Sequence, residues 1–222
     1  MSSSRLRLDR VLVDRGLAPT RSSARALIMA GKVRLANQSE CKAGTLVNVD
    51  TSIEVIQLPR FVSRGGDKLA AAINKSGINV TGRTCLDIGA STGGFTDALL
   101  QTGASTVISV DVGYGQFSWE LRQDDRVFVL ERTNARYLTI DDLPTSLNTP
   151  PTILVIDVAF ISASKILPAV GRVCAPACDA IVLVKPQFES SPDRIGRRGI
   201  VTCKDTRRDC LTAVGESAEE LG

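Results

Sequence analysis

Leu86-Asp-Ile-Gly-Ala-Ser-Thr-Gly-Gly-Phe-Thr-Asp97 is the stretch that decides the fold. It reads as a buried strand, running from Thr84, that enters a glycine-rich turn and then a helix. Glycine adopts a positive φ without a Cβ penalty and lets the backbone pass close to a ligand. The helix that follows starts with its free N–H groups facing the crevice at the carboxyl end of the strand, where open α/β sheets bind ligands. The spacing is not Gly-x-Gly-x-x-Gly, so the dinucleotide fingerprint is absent. An acid two positions before the first glycine suits S-adenosylmethionine instead. Asp87 is placed near the methionine amino group, and the turn through Gly89, Ala90, Ser91, Gly93, Gly94 and Phe95 leaves room for the amino-acid tail.

Four more apolar runs follow, and each closes on a polar residue. Val107–Val110 ends in Asp111, 24 residues after Asp87, the distance at which a second parallel strand delivers an acid to a ribose diol. Val127–Leu130 leads to Asn134, which is placed to flank an adenine ring; Thr152–Ile156 ends in Asp157, and Ala180–Val184 in Lys185. Near-continuous apolar runs are what strands of a parallel sheet covered on both faces look like. Any one of them could be a strand closed by an ordinary charged residue. Five in series, with helices between, predict an α/β Rossmann-like sheet.

Composition narrows the class of function. At 222 residues and 43% hydrophobic, the chain is long enough for one large and one small domain. No run approaches the roughly 18 apolar residues of a membrane span, and the N-terminus lacks an apolar signal core, so a cytoplasmic protein with no membrane partner is expected. The six cysteines form no Cys-x-x-Cys pair and read as reduced thiols, not as a zinc site or disulfides. There is no histidine, which removes Ser-His-Asp and Cys-His catalysis and histidine metal ligation; no metal is expected.

The net charge of +3 is unevenly spread: residues 1–60 carry ten Lys or Arg against five Asp or Glu, leaving seventeen against nineteen for the rest. A basic module ahead of a near-neutral one points to a polyanionic partner. Arg5 to Arg15 is predicted to form a short helix burying Leu6, Leu8, Val11, Leu12 and Val13, ended by Gly16. Thr20 is placed to cap a second helix, Arg21 to Met29, closed by Gly31. Lys32 to Ala36 reads as a strand, and Leu46 to Ile56 as one or two more. The surface that results displays Arg5, Arg21, Ser22, Arg25, Lys32 and Arg34 to phosphate groups; the plain alternative is a solvated charged face.

Thr20-Arg-Ser-Ser-Ala-Arg-Ala-Leu-Ile-Met-Ala-Gly-Lys-Val-Arg34 resembles an S4-like RNA-binding domain, with Gln38 departing from the glycine that commonly follows Asn37. From about residue 5 onward the chain resembles the TlyA, or haemolysin A, family: an S4-like domain (1–59) and an FtsJ-like methyltransferase domain (60–222). The motifs that carry this include Ser63-Arg-Gly-Gly-Asp-Lys-Leu69, Val110-Asp-Val-Gly-Tyr-Gly-Gln116, Glu131-Arg-Thr-Asn-Ala-Arg136, Asp157-Val-Ala-Phe-Ile161 and Val184-Lys-Pro-Gln-Phe-Glu189. The resemblance implies S-adenosylmethionine-dependent 2′-O-methylation of cytidine in ribosomal RNA or ribosomal subunits. It assigns Lys68, Asp157 and Lys185 to three places of the family's Lys-Asp-Lys-Glu catalytic group. Lys185 serves as base for the ribose hydroxyl, its ammonium made acidic by desolvation and by the charge of Lys68 and the sulfonium, while Asp157 orients the ammonium groups. Asp157-Val-Ala-Phe160 lacks the Asn/Asp-Pro-Pro-aromatic turn of base N-methylation.

Pro186 to Val201, with Arg194, Arg197 and Arg198, is expected to be a loop that either closes over RNA or stays a mobile surface segment. The family's fourth catalytic residue, a glutamate on a later strand, has no match before Gly222: Glu216, Glu219 and Glu220 fall in an apparent helix, Lys204 to Leu221. The expectation is therefore a sheet short of its last strands, with Ala180–Lys185 as an apolar edge. Cofactor binding is expected ahead of turnover. The alternatives are an RNA-binding protein with an incomplete catalytic half and, less favoured, a cytolysin.

Overall fold

The computed structural model describes residues 5–36, 41–56, 59–147 and 149–221. Asn37, Gln38, Gln57, Leu58 and Gly222, on which some expectations fell, lie outside the described residues. The chain divides into two compact units, Met1–Pro59 and Arg60–Gly222.

The smaller unit contains β1 (Arg5–Arg7), α1 (Leu8–Asp14), α2 (Arg21–Met29), β2 (Val33–Leu35), β3 (Leu46–Asn48) and β4 (Ile53–Val55). The strands form two antiparallel ribbons, β1 with β3 and β2 with β4. The first helix starts at Leu8, not at Arg5: Arg5, Leu6 and Arg7 pair with Asn48, Val47 and Leu46. Arg-Leu-Arg-Leu alternates with period two, the pattern of a strand, and helical spacing begins only with Leu8, Val11 and Leu12. Thr20 caps α2 as expected. Its Oγ1 accepts from Ser23 N at 3.2 Å while Ser23 Oγ accepts from Thr20 N at 3.1 Å, a reciprocal capping box. Leu8, Leu12, Ala24, Ile28 and Val33 form this unit's core.

The larger unit is built on five parallel strands: β5 (Thr84–Ile88), β6 (Thr106–Val110), β7 (Val127–Leu130), β8 (Ile153–Ile156) and β9 (Asp179–Val182). Their order is β7-β6-β5-β8-β9, so the direction of winding reverses at β5. Helices α3 (Arg64–Ser76) and α4 (Gly94–Gln101) cover one face, packing with Cys85, Val107, Ile153 and Val155. On the other face Leu86, Ile88, Ile108 and Ile156 pack with α6 (Leu167–Val173) and with Val214 of α8 (Lys204–Glu219). The short α5 (Trp119–Arg122) and α7 (Pro186–Glu189) lie in the connections.

Two expectations at the end of the sheet are corrected. The last strand stops at Val182, so Lys185 stands three residues past it, as the residue before α7. Pro186 at the first helical position opens α7 and keeps Lys185 before it in extended backbone. β9 is only partly buried, because among the described residues it pairs on one side, with β8. The stretch 186–201 is not a featureless loop: it forms α7 and two 3-10 turns, Pro192–Arg194 and Arg197–Gly199.

Candidate functional site at the carboxyl edge of the sheet

The strand ends are held in step past the last paired residue. Gly89 N donates to Val110 O at 2.8 Å, Asp111 N to Leu130 O at 3.0 Å and Asp157 N to Ile88 O at 2.9 Å. These bonds bring the glycine turn, Asp111 and Asp157 to one edge, at the point where the winding reverses. Two cavities open there and share Gly89, Ser91 and Asp157.

The first, about 350 Å³, lies between the ends of β6 and β8. Val110, Ala135, Val158 and Ile166 give it an apolar wall, and Asp111, Gln116, Thr133 and Asn134 give it polar groups. Asp111 is fixed by backbone donors: Ser91 N reaches Oδ2 at 2.7 Å and Gly113 N reaches Oδ1 at 2.6 Å. Each oxygen keeps lone pairs for a further donor. The Asn134 side chain accepts from Arg136 N at 3.1 Å and holds a 3-10 turn.

The second cavity, about 420 Å³, is lined by Ser63, Arg64 and Lys68 of the α3 entry, by Ala90 and Thr92 of the turn, and by Gly94 and Phe95 of α4. Gly93 caps α4 with φ +96° and supplies no side-chain cap, and the first-turn residues Gly94 and Phe95 line the cavity. Asp97 ties the α3 entry to α4: its Oδ2 accepts from Val62 N at 2.8 Å. Phe61 is buried in the same unit and packs on Gly66, where a Cβ would lie 2.3 Å from its ring.

Asp87 lines neither cavity. It is fully buried beneath the turn, because the period of two turns it away from Leu86 and toward α4. Thr96 Oγ1 donates to Asp87 Oδ2 at 2.6 Å and lies 2.8 Å from Ser109 Oγ. Its Oδ1 has no hydrogen-bond partner among the described residues. Burial pushes this carboxyl up to about 7, against the opposing pull of Thr96.

Lys185 Nζ lies 2.6 Å from Asp157 Oδ1, an ion-pair contact of two partly buried side chains. Asp157 thus faces Lys185 on one side and shares the second cavity with Lys68 on the other. Sequence reasoning missed the ring beside this pair. Phe160 is 92% exposed, held at φ +67°, and stands 5.5 Å from Phe188, centroid to centroid. Its only signal was an aromatic residue three positions after the carboxylate.

The basic residues are divided between the units. Arg5, Arg21, Ser22, Arg25 and Arg34 are exposed in the smaller unit, and Lys32 is partly exposed. Arg194, Arg197 and Arg198 are exposed in the larger one, where Arg194 pairs with Asp209 at 3.0 Å.

The residues at the edge fit S-adenosylmethionine on observations of this structure. An anchored carboxylate beside an apolar slot suits a ribose diol and an adenine. Asp87 Oδ1, unpartnered beneath the turn among the described residues, is an acceptor that a nearby ammonium would favour in its ionised form. The cradle also needs its glycine: a Cβ on Gly89 would lie 2.7 Å from Asp157 O.

Fold and site together define a Rossmann-type methyltransferase domain that follows a small basic module. Comparison with known proteins agrees: residues 61–220 match the FtsJ-like methyltransferase model and residues 6–53 the S4 domain model. The 16S/23S rRNA (cytidine-2'-O)-methyltransferase TlyA of Mycobacterium tuberculosis is 45% identical over 220 residues, covering 98% of this chain and 81% of that protein. Hemolysin A of Brachyspira hyodysenteriae is 37% identical over 196 residues, covering 88% of this chain and 80% of that protein. A solved structure of a hemolysin-named protein from Streptococcus thermophilus superposes with a TM-score of 0.70 at 38% identity, over 100% of this chain and 80% of that one. The chain belongs to the TlyA family, FtsJ-like methyltransferases that carry an S4 domain.

Proposed function

We propose that the protein transfers a methyl group from S-adenosylmethionine to a ribose 2′-hydroxyl of ribosomal RNA, a cytidine being the favoured nucleotide. The observation that carries this reading is Asp157, which lines both cavities and holds Lys185 Nζ 2.6 Å from its Oδ1. The first cavity takes the nucleoside end of the cofactor, with Asp111 on the ribose diol and Asn134 beside the adenine. The glycine turn, with Asp87 beneath it, takes the amino-acid end. When bound, the cofactor supplies a methyl group activated by a sulfonium.

The ribose hydroxyl is a weak nucleophile at neutral pH and must lose its proton as its oxygen forms the new bond. Lys185, once its ammonium has released a proton to solvent, is a neutral amine held by Asp157, and its Nζ takes up the hydroxyl proton. Lys68, across the second cavity, holds the ribose oxygen in place and compensates negative charge on it. Phe160 presents an open ring on which an unstacked base can lie, the usual means of holding a single nucleotide of RNA. The S4 domain supplies sequence-independent attraction to the phosphate backbone. No described helix is long and apolar enough to cross a membrane; the reading places the protein with ribosomes, in the cytoplasm.

The test is incubation with labelled methyl donor and unmodified ribosomal subunits, followed by alkaline hydrolysis. Label in alkali-resistant dinucleotides is expected, because a 2′-O-methyl group blocks cleavage at that position. Label released only in mononucleotides means base methylation and defeats the reading.

A further inference from the structure

The smaller unit buries one charged residue among its described residues, Asp9, whose side chain is fully covered. Three guanidiniums close over it. Arg7 donates through Nε and Nη2 to the two oxygens, each at 3.1 Å, and Arg21 Nη2 and Arg25 Nε both reach Oδ2 at 3.1 Å. Arg7 comes from β1, Asp9 from α1, and Arg21 and Arg25 from successive turns of α2, so one carboxylate joins three elements. The guanidinium side chains themselves stay 46%, 53% and 53% exposed.

This is not the arrangement of ordinary surface ion pairs. Three like charges drawn onto one carboxylate repel each other, and they are held only because that carboxylate is buried and hydrogen-bonded by all of them. A guanidinium carries five N–H donors in a rigid plane. Arg21 and Arg25 each use one nitrogen on Asp9, and among the described residues neither donates to another acceptor. The remaining donors belong to side chains that stay partly open to solvent, with two positive charges in excess over the carboxylate. Rigid, charged forks match the oxygens of phosphodiesters, and donors ordered in advance lose less entropy on binding. Arg7 chiefly, with Arg25 and Arg21, holds the Asp9 carboxyl well below the usual carboxylate range, so its charge persists at any working pH.

We propose that Asp9 is the positioning residue of an RNA-backbone site, holding Arg7, Arg21 and Arg25 as one preorganised triad for neighbouring phosphates. The proposal rests on the RNA-binding reading above. It makes a prediction opposite in sign to simple electrostatics. Asp9→Asn removes a negative charge and raises the net charge from +3 to +4, which by Coulomb attraction alone tightens binding to RNA. If Asp9 positions the triad, the same change weakens binding.

The experiment measures affinity of the full chain for an unmodified ribosomal RNA transcript between about 50 and 200 mM salt. Asp9→Asn is expected to bind about tenfold more weakly, the loss that goes with one or two misplaced charged hydrogen bonds. The slope of log K against log salt is expected to become shallower by about one, because a phosphate contact is lost. The double variant Arg21→Lys with Arg25→Lys keeps every charge and lacks the forks; it decides the matter if Asp9→Asn unfolds the smaller unit, and is expected to lose affinity about as much. Binding by Asp9→Asn as tight as the parent or tighter, with an unchanged or steeper slope, overturns the proposal, as does undiminished affinity of the lysine variant. If the parent chain itself fails to bind the transcript, the RNA-binding reading falls and this one with it.

Discussion

Gly89→Ala tests whether the cradle at the carboxyl edge is as closely built as its geometry indicates. Gly89 sits at φ +84°, and a Cβ there would lie 2.7 Å from Asp157 O, 3.0 Å from Asp157 C and 3.2 Å from Val158 Cα. The left-handed backbone costs a residue with a Cβ about 1–2 kcal/mol. Forcing backbone away from backbone in a packed site adds about 1–3 kcal/mol. The sum, about 2–5 kcal/mol, corresponds to a fall in Tm of about 4–20 °C for a unit of this size. Gly77→Ala is the matched control, since Gly77 has φ +74° with nothing within 4 Å of its Cβ position. It carries only the backbone cost and should lose about 2–8 °C. The assay is thermal unfolding followed by tryptophan emission: the single tryptophan, Trp119, lies in the larger unit and reports that unit alone. The clash also displaces the Asp157 backbone, so cofactor affinity measured by calorimetry below the transition should fall for Gly89→Ala and hold for Gly77→Ala. Equal melting temperatures for the two variants, with equal cofactor affinity, would refute the reasoning, because the clash is what separates them.

Lys185→Met should lower methyl transfer about 10²–10⁴-fold, the usual contribution of a positioned base, while leaving cofactor affinity near the parent value; single-turnover kinetics and calorimetry check both, and full activity excludes Lys185 as base. Asp87 gives stability a pH dependence whose sign follows from its raised value. Between 3.8, the value without burial, and about 7, the folded chain holds a proton that the unfolded chain has released, so stability falls as pH rises through that window and levels off above it. Asp87→Asn has no carboxyl to ionise, and its urea midpoints between about pH 5 and pH 8 should decline less than those of the parent; superimposable profiles would show that Asp87 is not the group responsible. Thr20→Ala removes the acceptor that caps α2 and should cost the smaller unit about 1 kcal/mol, read as faster amide exchange in Arg21–Ala24. Unchanged exchange there would mean that tertiary packing, not the cap, holds that first turn.

Local signals along the chain make much of this protein legible. Gly89 and Gly93 mark the turn because no other residue takes their φ values cheaply, and the apolar runs give the strands because buried parallel strands have no polar face to show. Thr20 gives its helix away because a capping hydroxyl works over three residues of chain. The basic excess of residues 1–60 points to an anionic partner because net charge needs no geometry. What only the tertiary structure decided was the company each polar residue keeps. Arg21 and Arg25 read as open phosphate ligands until the fold set them on Asp9, a residue whose burial no local pattern announces. Asp87 reads from the sequence as a group near the cofactor's amino end; that it is buried beneath the turn and accepts from Thr96 is set by the strand register. Lys185 and Asp157, 28 residues apart in sequence, meet only because β8 and β9 lie side by side and the chain beyond each strand turns along the same edge. Spacing along a chain fixes periodicity and capping, which depend on neighbours a few residues away; burial and pairing of charges depend on which elements the core brings together, and that is a property of the whole fold.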